Sequence, residues 1–377
     1  MMKRFQRREF PVSRLRSQTR QCLSDCCCPE VARHCVHSVK NQTSKCYPQI
    51  PRQESPIYFV HIPKTGGSAF KNQAFELFGK NAVCEDYGQR ESKIVSNHSL
   101  SDFVSLAMTR CKMVAGHIEA TKYLNYFGLR RTITFVRDPI ARYISRYFHH
   151  VRGGFNGTID EFHAERIENK GELNIDHMLN PGVIPLRAYG FIGLRETHNA
   201  SIAMMNAVYG LELQSITKNV GTYEKVSISA KIQEHVRKDV THYSNAVHIW
   251  KERWLMYQAC KPYVHGEVTS IDRGEITGWA WWENSDDAVQ LMVFHDFKFV
   301  SAVVADKPHF LGEHGAPRAG MVGFNILLPT DFLPFNASSW DDLGDEQVTV
   351  VVMVAHTWQV LTHSWITPSL EPSSLQI

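Results

Sequence analysis

The octapeptide HIPKTGGS, His61 to Ser68, combines a lysine, two glycines and two hydroxyl residues between an apolar run and a helix-spaced run. Glycine lets the backbone approach an anion closely. Free N–H groups at a helix start, with the positive end of the helix dipole, favour a phosphate there. Lys64 adds a mobile positive charge and Ser68 a hydroxyl donor. In a Walker A loop, GxxxxGK[ST], the lysine follows the glycines. Here it precedes them, and His61 stands where the first Walker glycine would be. ATP hydrolysis and ordinary kinase chemistry are therefore disfavoured. A second group lies in TFVRDPIARYISRYFHH: Arg137 ends a strand pattern and Ser145 follows eight residues on, within a helix pattern. Two donors at that spacing suit a second phosphate. A ligand with phosphates at both ends fits the pair of motifs better than ATP does.

Local patterns supply the elements that must hold these groups. IYFVHI from Ile57 reads as a strand buried on both faces. PKTGGS is a turn, and Phe70, Ala74 and Phe78 recur at helical spacing. CKMVAGHI, Cys111 to Ile118, reads as another strand, and Thr132 to Val136 as a third. Asp138 is placed to cap the next helix, with Pro139 at its first position. Residues 155–260 read as largely helical, with helices at His198–Tyr209 and around Ser244–Tyr257. Alternating strands and helices imply an α/β fold with a mainly parallel sheet. From about Gly266 the pattern changes to short strands separated by turn residues, as in a β-sandwich of about 100 residues.

The PKTGGS loop followed by R-D-P-x-x-R-x-x-S-x-Y resembles the PAPS-dependent sulfotransferases. It is most similar to the carbohydrate branch that includes heparan sulfate 2-O-sulfotransferase. The resemblance runs over residues 56–260. It implies a P-loop-like, three-layer parallel-sheet domain over 56–262, followed by an all-β sandwich over 266–367. It implies that Lys64, Thr65, Gly66, Gly67 and Ser68 bind the 5′-phosphosulfate of PAPS, and that Arg137 and Ser145 bind its 3′-phosphate. A Gly-His element lies between the two motifs in that family, and Gly116-His117 matches it here. His117 is then the expected catalytic base, and Lys64 the catalytic cation that stabilises the departing PAP. Close 2-O relatives carry a further histidine two residues earlier, where this chain has Ala115; the acceptor need not be theirs. No metal ligand is expected, because sulfuryl transfer by this scheme needs none. GEITGWAWW and AGMVGFNILLP resemble β-sandwich modules attached to bacterial glycosyltransferases and sulfotransferases, which points to a bacterial polysaccharide pathway.

Composition agrees with a folded protein. Hydrophobic residues make up 43% of the 377-residue chain and charged residues 21%, which excludes a wholly disordered or collagen-like chain. The net charge of +3 is unevenly placed: residues 1–52 carry +8, 53–265 carry +6 and 266–377 carry −11. The basic middle is the candidate for an anionic ligand, and nothing points to nucleic acid. Residues 1–55 read as a basic, Cys-rich, poorly ordered leader; its six cysteines match no CxxC pair. No secretory signal or membrane-spanning run is apparent, so a cytoplasmic or membrane-peripheral location is expected.

Simpler roles compete at several positions. Arg142, Arg146 and Arg152 read as a solvated basic face, and Tyr143 and Tyr147 as packing residues. His149 and His150 are rival bases. Trp279, Trp281 and Trp282 read as core, with sugar stacking as the alternative. Acceptor specificity is expected in residues 150–200, where the chain is least patterned. Two other functions are weighed. A P-loop kinase would need a Mg²⁺-binding acid at a strand end, and Asp138 is better explained as a cap. A non-catalytic carbohydrate-binding protein would leave the α/β motifs without a use.

Overall fold

The computed structural model describes residues 55–87, 99–168, 172–214, 226–272, 274–295, 298–329 and 350–361. The leader, with its cysteine cluster, lies outside the described residues. Ile57–Val60 forms β1, apolar at every position because both faces are covered. It leads through the PKTGGS turn into α1, Gly67–Phe78, which buries Phe70 and Ala74 as the helical spacing predicts. Val83–Glu85 forms β2, Leu100–Arg110 α2 and Met113–Gly116 β3. Thr132–Val136 forms β4 and Pro139–Arg152 α3. Phe191–Leu194 forms β5, His198–Tyr209 α4 and Ala230–Gln258 α5.

The five strands make one parallel sheet in the order β2-β3-β1-β4-β5. The chain moves from central β1 to the β2 edge, returns through β3, and crosses to β4 and β5. The strand order therefore reverses around β1. In open parallel sheets, ligands bind beyond the carboxyl ends of the strands at such a switch point. The strand-end residues are Asp86, His117, the loop from His61, Arg137 and Arg195, in sheet order.

Asp138 caps α3 as expected: its side chain accepts from the Ala141 N–H at 2.7 Å, and Pro139 opens the helix. Two strands escaped the sequence reading. β2 has three residues and β5 only four, with Gly193 inside it, too short for a periodic signal. The helix expected at Ser244–Tyr257 extends back to Ala230. A disulfide between Cys84 and Cys111, with Cα atoms 5.9 Å apart, ties β2 to the start of β3; sequence reading assigned no such pair.

Val264–Asp272 (β6), Glu275–Trp282 (β7), Val289–His295 (β8), Lys298–Ala305 (β9), Lys307–Pro308 (β10), Met321–Leu327 (β11), Val350–Val354 (β12) and Val360–Leu361 (β13) follow. They form two antiparallel sheets, β10-β11-β7-β6 and β13-β12-β8-β9. Ile276, Ala280 and Phe324 of the first share a core with Leu291, Val293 and Val352 of the second, as a sandwich requires.

The opposite face of β7 carries Trp279 and Trp281, both 0% exposed and stacked with centroids 4.6 Å apart. Sugar stacking by these two rings is thereby excluded. Trp281 also stacks on His265, whose Nδ1 lies 2.9 Å from the Arg187 carbonyl. Polar contacts join the β-rich region to the parallel-sheet region. Arg253 on α5 pairs with Glu283 and donates to the Gly190 carbonyl. Arg130, just before β4, donates to the carbonyls of Trp282 and Ser285 and pairs with Asp286 at 2.6 Å. Tyr47–Ile377 is one compact unit. Among the described residues, no helix is long and apolar enough to cross a membrane.

Candidate functional site

Between β1 and α1 the backbone takes left-handed conformations at Lys64 (φ 69°) and Gly66 (φ 93°). The Thr65 hydroxyl donates to the Ile62 carbonyl at 2.8 Å and holds the turn closed. No side chain caps α1, so an anion can take the place of a cap at its first N–H groups. Space at the loop is tight. A Cβ on Gly67 would run into the His61 ring, and one on Gly66 would lie 2.6 Å from Cδ of Arg195. Only glycine permits both the left-handed turn at position 66 and these close approaches.

Three cations surround the loop. Lys64 belongs to it. Arg137, one residue beyond β4, donates from Nη1 to the Lys64 carbonyl at 3.3 Å. Arg195, one residue beyond β5, lies across Gly66, and its N–H bonds the Val136 carbonyl at 2.8 Å. Sequence reading missed Arg195. A basic residue at the carboxyl end of a parallel strand was the available signal, but β5 itself went unrecognised. Ser68 is exposed at the start of α1. Ser145 lies on the buried side of α3, 3% exposed. Ser145 lies within α3, six residues after its first residue, Pro139.

On the other side of β1 is an imidazole pair. His61 and His117 have ring centroids 4.5 Å apart. The adjacency follows from register: Val60 pairs with Gly116, and the His61 N–H donates to the Gly116 carbonyl at 2.9 Å. Tyr87 packs edge-on to both rings, and its hydroxyl lies 2.9 Å from Nδ1 of His61. Burial, then the charge of Lys71, lowers the His117 pKa to about 4. Burial, His117, Lys71 and Lys64 lower that of His61 to about 3. Both rings are neutral near pH 7, which is the form in which an imidazole accepts a proton. Nε2 of His117 is buried and makes no hydrogen bond among the described residues.

Residues 50–177 match the family model of a sulfotransferase family. The match supports a transferase, and sulfuryl transfer is the chemistry that goes with it. It covers the loop, His117, Arg137 and Ser145; Arg195 and the β-rich region lie beyond it. No curated protein and no solved structure matches the chain.

The supposed solvated face of α3 is corrected in part. Arg142 is 1% exposed and pairs with Glu172 at 2.9 Å and Asp239 at 3.4 Å. Arg146 reaches the same Glu172 at 3.2 Å. Burial alone would raise the Glu172 pKa, but His235, Arg142 and Arg146 outweigh it and bring it down to about 2. These arginines anchor α3 to the elements behind it. Arg152, in the last turn, is exposed as expected. Among the described residues, no group of three or more His, Cys, Asp or Glu side chains is placed to hold a metal.

Proposed function

We propose that the protein is an O-sulfotransferase that moves a sulfuryl group from PAPS to a carbohydrate hydroxyl and releases PAP. The observation that carries this reading is the concentration of Lys64, Arg137 and Arg195 around an uncapped helix start, with a neutral histidine one strand away. The loop residues Lys64, Thr65, Gly66, Gly67 and Ser68 would hold the 5′-phosphosulfate. Arg137 and Ser145 would hold the 3′-phosphate. Arg195 adds a third cation, lying across Gly66.

In the reaction, His117 takes the proton of the acceptor hydroxyl as its oxygen attacks sulfur in line. The bond between sulfur and the bridging oxygen breaks, and its electron pair stays on the nucleotide phosphate. Lys64 and the loop N–H groups stabilise that growing charge by electrostatics arranged before the reaction begins. His61, one residue beyond β1, packs its ring at a tilt against His117 and is itself held by Tyr87. No step calls on a metal. A kinase reading gains nothing from the site, because the Asp138 carboxylate is engaged in capping α3.

Titration calorimetry of PAP and ATP tests the reading. Wild-type protein should bind PAP more tightly than ATP. Lys64→Ala and Arg137→Ala should each weaken PAP by roughly 1.5–3 kcal/mol, the worth of a hydrogen bond to a charged group. A folded wild type that does not bind PAP would sink the proposal.

A further inference from the structure

A cavity of about 800 Å³ lies at the end of α3 away from Arg137. The last turn of that helix, the GGFNG loop 153–157 and the residues after it line this open space. The loop is held in place. Phe155 N–H bonds the His150 carbonyl at 3.0 Å, and the Tyr147 hydroxyl donates to the Gly157 carbonyl at 3.0 Å. The Phe155 ring folds over Gly157, where a Cβ would sit 2.6 Å from it. On the far wall, a π-helical turn at His163–Glu168 carries Glu165 and Arg166 to the lining. Such turns are often found at functional sites.

The lining is balanced in charge. Arg152 and Arg166 line it together with Glu161 and Glu165, and Asn156 and Phe155 belong to the same lining. At the nucleotide site, Lys64, Arg137 and Arg195 gather at the strand ends of β1, β4 and β5, with Asp138 and Glu196 following the two arginines and the Glu196 carboxylate accepting from the Asp138 N–H at 2.9 Å. His149, also on the wall, links the two places. Burial, then the ammonium of Lys64, then Arg152, lower its pKa, so the cavity mouth lies within the field of the transfer site.

We propose that this cavity seats an uncharged saccharide unit of the acceptor. Hydroxyl groups both donate and accept, so a ring of them is matched by guanidiniums and carboxylates together. An aromatic face adds apolar contact with the ring. A uronate or sulfated unit would bring a net charge that this lining, with two carboxylates against two guanidiniums, does not match. The proposal rests on the sulfotransferase reading, and it specifies the substrate class of that same enzyme.

The test is titration calorimetry on the full chain preloaded with PAP. The probes are a panel of neutral hexasaccharides (gluco-, xylo-, manno- and galacto-linked) and hexasaccharides of galacturonate and hyaluronate. PAP binding is measured first, so failure of the enzyme reading shows there and not in the glycan step. We expect a neutral member to bind the loaded protein more tightly than either acidic one. Phe155→Leu, which keeps the apolar packing, and Glu165→Ala should each weaken that binding roughly ten-fold and leave PAP affinity unchanged. Tighter binding of an acidic probe, binding of none, or glycan affinity unmoved in both variants would each overturn the proposal.

Discussion

The side chain of Arg195 lies across Gly66, so close that a Cβ at that glycine would be 2.6 Å from its Cδ. The contact joins the end of β5 to the turn after β1, although β4 lies between those strands. It brings Arg195 onto the turn and makes Gly66 irreplaceable on two grounds, its φ of 93° and its lack of a side chain. Arg195→Ala is expected to weaken PAP by roughly 1.5–3 kcal/mol. Gly66→Ala is expected to weaken it as well, by displacing Arg195 and straining the turn. Calorimetry on both variants checks this; an unchanged PAP affinity in Arg195→Ala would remove that residue from the site.

His117 should behave as a base and not as a support for the nucleotide. His117→Ala is expected to lower kcat by roughly 10²–10⁴-fold while PAP affinity holds. Its pKa of about 4 places the acid limb of kcat/KM in the free enzyme well below the ordinary histidine range. Parallel loss of PAP binding would point to a structural role instead.

Acid should unfold the protein through its buried imidazoles. Burial, reinforced by Arg195, holds His198 at about 4; His117 is at about 4 and His61 at about 3. The unfolded chain binds protons at these sites below about pH 6.5, whereas the folded chain does not until the pH falls near their depressed values. Stability is therefore fully present above about pH 6.5 and is lost as the pH falls toward 4. Each site contributes up to about 1.4 kcal/mol per pH unit in that window. His198→Phe, which keeps a ring beside Phe135, should flatten the dependence. Urea midpoints measured from pH 4 to 8 would show an unchanged slope if this account is wrong.

The Arg253–Glu283 pair is buried on both sides, at 2% and 1% exposure. Glu283→Ala should cost roughly 3–5 kcal/mol, because it leaves a guanidinium buried without its carboxylate. Replacing both residues with leucine should recover much of that loss. Denaturant titration of the three proteins decides it; a neutral Glu283→Ala would mean that the pair contributes little to joining the two regions. Removal of residues 266–377 would likewise take away the Trp281 ring that stacks on His265 and strip Arg130 of its acceptors, so a truncated chain is expected to lose the parallel-sheet fold along with the sandwich.

Much of the site was legible because its causes are local. The turn from His61 to Ser68 depends on glycines, a lysine and the boundary between an apolar run and a helical one, all within one stretch of chain. The Asp138 cap and Pro139 act over three residues. The strands β1, β3 and β4 announce themselves as apolar runs, and their order along the chain already implies a parallel sheet. What only the tertiary structure decided involves partners far apart in sequence. Arg195 reaches Gly66 only because the sheet order puts β5 beside β4. Arg142, a surface residue by pattern, is drawn inward by Glu172 and Asp239. Trp279 and Trp281 gained a buried face because β7 is covered on both sides, while local alternation reports only that two faces exist. Backbone angles and caps depend on neighbours in the chain, whereas charge pairing and burial depend on which surfaces meet when the sheets pack.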